Sequence, residues 1–138
     1  MIQLFSHVGH IVKDIDQGID LYTRLGLKPA SSQLMDMPGG KALMIPVGGN
    51  FIELIQPTDA RHRVGQFLEK RGEGLFHISF RVDDIGAEVR ALRTKGIIVD
   101  DPREITSLPS RPKIAFLDPQ STCGAIIELA EEPHGKAR

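Results

Sequence analysis

Four residues of this sequence have the types and spacing to bind a divalent metal ion. Two are histidines, His7 and His77, and two are glutamates, Glu53 and Glu128. A set of imidazole nitrogens and carboxylate oxygens without thiolates suits Mn, Fe, Co, Ni or Zn rather than a cysteine-rich structural zinc site. A six-coordinate ion held by these four ligands keeps two positions for water or substrate, which favours a catalytic site over a structural one.

The two histidines occupy equivalent positions in an internal repeat. Residues 7–15 align without a gap with residues 77–85, at a constant offset of 70 residues. A single histidine in a strand is more often a structural residue than a ligand. Its recurrence at the same place in both copies reverses that expectation for His7 and His77.

His10 is the exception in the first copy. Side chains alternate across a strand, so His10 points to the face opposite His7. Phe80 stands at the equivalent place in the second copy. The repeat therefore predicts that His10 packs in the interior and is not a metal ligand.

Each glutamate lies in an otherwise apolar run that reads Ile-Glu-Leu. Glu53 belongs to residues 51–55, and Glu128 belongs to residues 125–130. Burying an unpaired carboxylate there costs several kcal/mol, so the group needs a cation, a proton or water. Either glutamate alone could face solvent on a one-sided sheet. Two of them, each following the histidine of its own copy at a similar distance, favour metal binding.

Each copy of the repeat predicts a strand, then a helix, then three short strands. The expected helix caps and terminal glycines are Asp14 or Asp16 with Gly26, and Asp83 or Asp84 with Gly96. The expected later strands include residues 43–47, 51–55, 113–117 and 125–129. Apolar spacing within residues 59–74 predicts a linking helix. Residues 131–138 predict an unstructured tail.

These elements predict an α+β fold in which two βαβββ modules, in a pseudo-twofold arrangement, form a curved mixed sheet around a metal cleft. The whole chain, 1–138, is expected to be one domain. Module 1 spans about 1–58, the linker helix about 59–74 and module 2 about 75–132. Equivalent ligands from both modules would then converge at the centre of the sheet.

The composition excludes several classes of partner. Seventeen basic and eighteen acidic residues give a formal net charge of −1. Both signs are interspersed, so neither nucleic acid nor a membrane surface is an expected partner. Cys123 is the only cysteine, and the first residues lack the pattern of a secretory signal. A soluble, cytoplasmic protein is expected.

Four segments spread over nearly the whole chain form a recognisable set. They are residues 7–12, 49–57, 67–84 and 116–129. The set resembles the vicinal oxygen chelate superfamily of glyoxalases, bleomycin resistance proteins and dioxygenases. Within the superfamily it is most similar to methylmalonyl-CoA epimerases. Gln-Pro-Thr-Asp at 56–59 and the Asp-Pro-Gln-Ser-Thr-Cys-Gly turn at 118–124 favour the epimerases over glyoxalase I.

The resemblance implies a metal-dependent isomerase. Its implied metal ligands are His7, Glu53, His77 and Glu128, its cofactor is one divalent ion (Co, Ni, Mn, Zn or Fe), and its substrate is an acyl-CoA or other thioester. The implied reaction removes a proton α to a carbonyl, with Glu128 as the base and Glu53 as its partner on the other face. A homodimer is usual in the family.

Several alternatives remain open at this point. A glyoxalase I-like lactoylglutathione lyase would use the same four ligands, and a resistance-type protein would bind a small molecule without chemistry. A dioxygenase is disfavoured, because such enzymes typically use two His and one Glu. Arg111 or Lys113 could meet a CoA phosphate or a free carboxylate, or could be ordinary solvated charges. No further acidic base has a secure counterpart near residues 41–45.

Overall fold

The structure is a computed structural model that describes residues 1–133. Eight strands and three helices follow one another along the chain. They are β1 (Ile2–Ile11), α1 (Ile15–Arg24), β2 (Met35–Met37), β3 (Gly40–Val47), β4 (Asn50–Pro57), α2 (Arg63–Arg71), β5 (Gly74–Val82), α3 (Ile85–Thr94), β6 (Arg103–Glu104), β7 (Lys113–Leu117) and β8 (Ile127–Glu131). A short 3₁₀ turn, Pro119–Ser121, precedes β8.

The strand order is β2-β3-β4-β1 in the first half of the chain and β5-β8-β7-β6 in the second half. The pairs β1–β4 and β5–β8 are parallel. The pairs β2–β3, β3–β4, β6–β7 and β7–β8 are antiparallel. The predicted α+β class and the succession of two βαβββ modules are confirmed.

The chain divides into two compact units. One is His7–Phe76, and the other combines Met1–Ser6 with His77–Arg138. The module boundaries that the sequence suggests, at about residues 58 and 75, stay a prediction. Within residues 1–133, no helix combines the length and the apolar character needed to cross a membrane.

In the unit His7–Phe76, helix α1 covers one face of the local strands. Asp14 caps the helix by accepting a hydrogen bond from the Asp16 amide at 2.9 Å. Gly26, with a φ of +87°, takes the left-handed conformation that follows the helix end. The buried side of α1 packs on one hydrophobic cluster, which consists of Val12, Ile15, Tyr22, Leu43, Ile45 and Leu54. This packing leaves the other face of β3 and β4 for the site.

Helix α3 has the same role in the second unit. Asp84 caps it by accepting a hydrogen bond from the Ala87 amide at 2.9 Å. Gly96, with a φ of +80°, follows its last turn. The cluster beneath the helix consists of Val82, Ile85, Val89, Val99, Ala115, Leu117 and Leu129. The predicted caps and terminal glycines of both helices are therefore confirmed, with Asp14 and Asp84 as the capping residues.

Two details at the end of the chain correct the sequence-based expectations. Strand β8 begins at Ile127 rather than at residue 125, because Thr122 Oγ1 donates to the Ala125 carbonyl at 2.6 Å and holds a turn there. Glu131 is the last residue of β8, and its carboxylate accepts a 2.7 Å hydrogen bond from the Ile85 amide. The predicted unstructured tail is therefore wrong for Glu131, and its residues 134–138 lie outside the described part of the chain.

Candidate metal centre

His7 and Glu53 meet on neighbouring parallel strands of the unit His7–Phe76. In the register of β1 and β4, His7 pairs with Phe51 and Gly9 pairs with Glu53, so both ligands project from one face. His7 Nε2 lies 3.9 Å from Glu53 Oε1. The histidine is 3% exposed, so it belongs to the interior of the site.

The face that carries Glu53 is otherwise apolar across β2 and β3. Met44 is in register with Glu53, and Met35 is in register with Ala42 on the same face. Asp36 and Lys41 pair with each other on the opposite face. Within these two described strands no further carboxylate shares the face of Glu53.

The second unit repeats the pairing with a third side chain added. His77 lies on β5 and Glu128 on β8, with His77 Nε2 3.8 Å from Glu128 Oε1. Ser79, which is in register with Glu128, donates a 2.8 Å hydrogen bond from Oγ to the same oxygen. The ring of Phe116 meets the His77 ring edge to face, with centroids 5.9 Å apart. Glu128 is therefore oriented within a buried polar group.

Each unit brings together one predicted histidine ligand and one predicted glutamate ligand. The contacts are His7 with Glu53 in one unit and His77 with Glu128 in the other. His7, His77 and Glu128 are buried.

The donor set fits a divalent metal ion. Ligand atoms held about 2.1 Å from one ion lie about 3 to 4.2 Å apart. The distances of 3.9 Å between His7 Nε2 and Glu53 Oε1 and of 3.8 Å between His77 Nε2 and Glu128 Oε1 are in this range. Neutral imidazole with carboxylate is the donor chemistry of Zn, Fe, Co, Ni and Mn sites.

His10 makes a different set of contacts. Its Nδ1 lies 2.6 Å from the Tyr22 hydroxyl, and the two rings meet edge to face. Burial lowers the pKa of His10 below its ordinary value of 6.5, and the Glu73 carboxylate partly opposes this shift. Burial also raises the pKa of Tyr22. His10 thus packs against Tyr22 of helix α1, as its alignment with Phe80 suggests.

The two cations considered from the sequence lie away from the ligands. Arg111 donates from Nε and Nη2 to the two carboxylate oxygens of Glu104, at 3.0 and 3.2 Å. Lys113 is in register with Glu131, whereas Ile114 and Phe116 carry the face of Glu128. The Lys113 side chain therefore projects from the face opposite Glu128. That Arg111 or Lys113 meets a CoA phosphate or a free carboxylate stays a prediction.

Sequence reasoning missed two arginines that do share the face of Glu128. Arg81 follows His77 and Ser79 at alternate positions of β5, so it projects on their side. This spacing was a usable signal, because residues i, i+2 and i+4 of a strand share a face. Arg103 lies in the two-residue strand β6, in register with Ile114, and such a short strand has no recognisable pattern.

Residues 6–112 match the model of the Glyoxalase/Bleomycin resistance protein/Dioxygenase superfamily, and the chain belongs to this superfamily. The resemblance noted from the sequence is confirmed.

Three individual proteins show which members of the superfamily this chain is similar to. An uncharacterised protein of Bacillus subtilis, YqjC, is 31% identical over 129 residues, which cover 91% of this chain and 90% of that protein. The crystal structure of methylmalonyl-CoA epimerase from Mycobacterium tuberculosis is 30% identical, with a TM-score of 0.83 over 96% of this chain and 89% of that chain. A Streptomyces coelicolor methylmalonyl-CoA epimerase variant in complex with 2-nitronate-propionyl-CoA is 26% identical, with a TM-score of 0.86 over all of both chains.

Proposed function

We propose that this protein is a metal-dependent epimerase that removes and returns the proton α to the thioester carbonyl of a 2-substituted acyl-CoA such as methylmalonyl-CoA. The observation that carries the proposal is the repeated His–Glu contact, His7 with Glu53 in one unit and His77 with Glu128 in the other. The similarity to methylmalonyl-CoA epimerases over nearly the whole chain supports the substrate class.

The proposed ligands of the metal ion are His7, Glu53, His77 and Glu128. The contact of each histidine with the glutamate of its own copy supports this set. When bound, a divalent ion supplies Lewis-acid stabilisation of the negative charge that develops on the thioester oxygen during enolisation.

Glu128 is the proposed base. One carboxylate oxygen is held by the Ser79 hydroxyl, so the orientation of the group is fixed before the substrate arrives. A Glu128 oxygen accepts the α proton, and the electron pair of the C–H bond becomes the enolate. In the next step Glu53 is a protonated carboxylic acid rather than a metal ligand, and it gives its proton to the opposite face of the α carbon. Met35 and Met44 project on the same face as Glu53. Within β2, β3 and β4, Glu53 is the one carboxylate on that face.

Deuterium exchange tests this proposal. The purified protein is reconstituted with Co, Ni, Mn, Zn or Fe, and methylmalonyl-CoA is incubated with it in deuterium oxide. Incorporation of deuterium at the α carbon, followed by NMR, is the expected result with at least one metal. Glu128→Gln should lower the exchange rate by at least about 100-fold, because general base catalysis contributes about 10²- to 10⁴-fold.

Two other outcomes would overturn the proposal. Turnover of the methylglyoxal–glutathione adduct without exchange into methylmalonyl-CoA would identify a glyoxalase I-like enzyme. Binding of a small molecule without exchange or turnover, with any of the five metals, would identify a resistance-type binding protein.

Lys113→Gln is the matched control, because it changes a charged residue on the opposite face and should retain full exchange.

We further propose that the protein is a homodimer and that it is located in the cytoplasm. Light scattering on the eluate of a size-exclusion column gives the mass in solution. A mass near 30 kDa, about twice the 15.2 kDa of the chain, is the expected result for a dimer.

A further inference from the structure

Two arginines stand in one row across the sheet, directly beside the row that holds Glu128. The register places Arg81 of β5 next to Ala130 of β8, Ala130 next to Ile114 of β7, and Ile114 next to Arg103 of β6. The neighbouring row consists of Ser79, Glu128 and Phe116. Because residues two apart in a strand share a face, both rows project on the same side of the sheet.

The side chains in the middle of the arginine row are short. Adjacent strands lie about 4.8 Å apart, so the backbones of Arg81 and Arg103 are separated by about 14 Å. Ala130 and Ile114 fill the interval and carry no charge. The row therefore has a positively charged side chain at each end and uncharged side chains between them. The separation of the two arginines leaves room for a small anionic group.

Phe116 connects Arg103 to the His77 and Glu128 pair. The guanidinium carbon of Arg103 lies 5.9 Å from the centroid of the Phe116 ring. The same ring meets His77 edge to face at 5.9 Å. Stacking on an aromatic ring restricts the guanidinium and orients its donors, so part of the entropic cost of binding an anion is already met.

Both arginines are available to an external anion. Across residues 1–133, neither Arg81 nor Arg103 has a carboxylate within ion-pair distance. Arg111, by contrast, has both its Nε and its Nη2 committed to Glu104. The Arg103 side chain is exposed and that of Arg81 is half-buried, so solvent reaches both.

We propose that Arg81 and Arg103 form an anion-binding strip that holds the negatively charged part of the substrate beside Glu128. The inference rests on the proposed function, since it places an acyl-CoA in this site. The shared chemistry is an oxyanion with two or more acceptor oxygens, either the free carboxylate of the acyl group or a phosphate of the coenzyme. A planar guanidinium binds either one through two parallel hydrogen bonds.

Calorimetric titration of the metal-loaded protein tests the strip. The ligands are methylmalonyl-CoA and propionyl-CoA, which share the phosphates but differ in the free carboxylate. Arg81→Gln and Arg103→Gln should each weaken binding by about 10-fold or more, at unchanged metal content, because each removes a hydrogen bond between charged groups. Arg103→Lys should recover part of the loss, since it keeps the charge without the planar fork.

Lys113→Gln is the matched control. It removes the same charge from β7, beside the same strands, but from the opposite face of the sheet. Its affinity for both ligands should stay within about twofold of the wild type, because exposed charges outside a contact contribute little. A comparable loss in this variant would show that general surface charge, and not the strip, attracts the ligand.

The two ligands distinguish the sources of the anion. A loss confined to methylmalonyl-CoA assigns the strip to the acyl carboxylate, and an equal loss for both assigns it to a phosphate. If the arginine variants bind both ligands with wild-type affinity, Arg81 and Arg103 do not form an anion-binding strip. A different result would separate the two proposals. If the wild type binds the ligands tightly, the arginine variants do not, and no form of the protein catalyses deuterium exchange, the proposed function is wrong but the anion-binding strip is supported.

Discussion

Ser79 and Glu128 lie directly opposite each other on the parallel strands β5 and β8, and the serine hydroxyl donates a 2.8 Å hydrogen bond to Glu128 Oε1. Ser79 is 0% exposed and Glu128 is 8% exposed, so water does not compete freely for this oxygen. The bond restricts the rotation of the carboxylate. The same carboxylate oxygen lies 3.8 Å from His77 Nε2.

Ser79→Ala should weaken metal binding while the fold is retained. Hydrogen-bond partners of metal ligands typically contribute about 10- to 100-fold to metal affinity, since they orient the ligand. We expect a decrease of that size, measured by competition with a chromophoric chelator. Ser121→Ala is the control, because Ser121 caps a turn outside the site. An unchanged metal affinity in Ser79→Ala would show that the strand positions alone orient Glu128.

His7→Ala and Glu128→Gln should each reduce the metal content of the purified protein. Each change removes one member of a His–Glu contact, His7 with Glu53 or Glu128 with His77. Elemental analysis of protein prepared with a fixed metal supplement gives the occupancy. Circular dichroism on the same samples verifies folding. Full occupancy in both variants is incompatible with the assigned ligands.

Glu53→Gln separates a four-ligand site from a three-ligand site. Glu53 Oε1 lies 3.9 Å from His7 Nε2, and this contact supports Glu53 as the fourth ligand. If Glu53 is a ligand, the variant should lose metal affinity by about 10-fold or more, because an amide oxygen is a weaker donor than a carboxylate. Asp36→Asn is the control, since it neutralises an acid on the opposite face. Equal affinities in the two variants would leave a three-ligand site.

Much of this arrangement could be predicted from the sequence because of the repeat. An offset of 70 residues relates His7 to His77. A residue that recurs at the same place in both copies can therefore be distinguished from one that occurs there by chance. The apolar periodicity of α1 and α3 follows from their packing on one sheet face, and their capping aspartates follow from backbone donors at helix starts. Such local signals are independent of the rest of the fold.

The features that could not be predicted depend on pairing between distant strands. Ser79 is an ordinary serine until the register sets it opposite Glu128, which is 49 positions away. Arg103 lies in a strand of two residues, which has no periodicity to detect. The side on which Lys113 projects depends on its register with Glu131. A one-residue change in register would reverse that side, and composition cannot fix it.

His10→Phe should flatten the dependence of stability on pH. Burial lowers the pKa of His10 in the folded protein, so the unfolded chain binds a proton that the folded one resists. The free energy of unfolding of the wild type should therefore fall as the pH drops from about 7.5 to about 5.5. Phenylalanine, which occupies the equivalent position 80, cannot titrate.

Urea denaturation of both proteins at the two pH values measures this difference. The loss of the 2.6 Å contact with the Tyr22 hydroxyl should also lower the stability of His10→Phe at the higher pH, by about 0.5–1.5 kcal/mol. A pH dependence that is identical in the two proteins would assign the effect to other groups.

Gly18→Ala and Gly86→Ala should have opposite effects on stability, although both place alanine in a helix. Alanine favours a helix over glycine by about 1 kcal/mol. At Gly18, however, the new Cβ would lie 2.7 Å from Leu54 Cδ2, and Leu54 is 0% exposed and closely packed. Overpacking of this kind costs about 1–3 kcal/mol, so we expect a net loss in the free energy of unfolding. At Gly86 the nearest atom is the flexible Arg90 Nη1 at 3.4 Å, so a gain of about 0.5–1 kcal/mol is expected. Urea denaturation measures both, and a stabilised Gly18→Ala would mean that Leu54 can move away from helix α1.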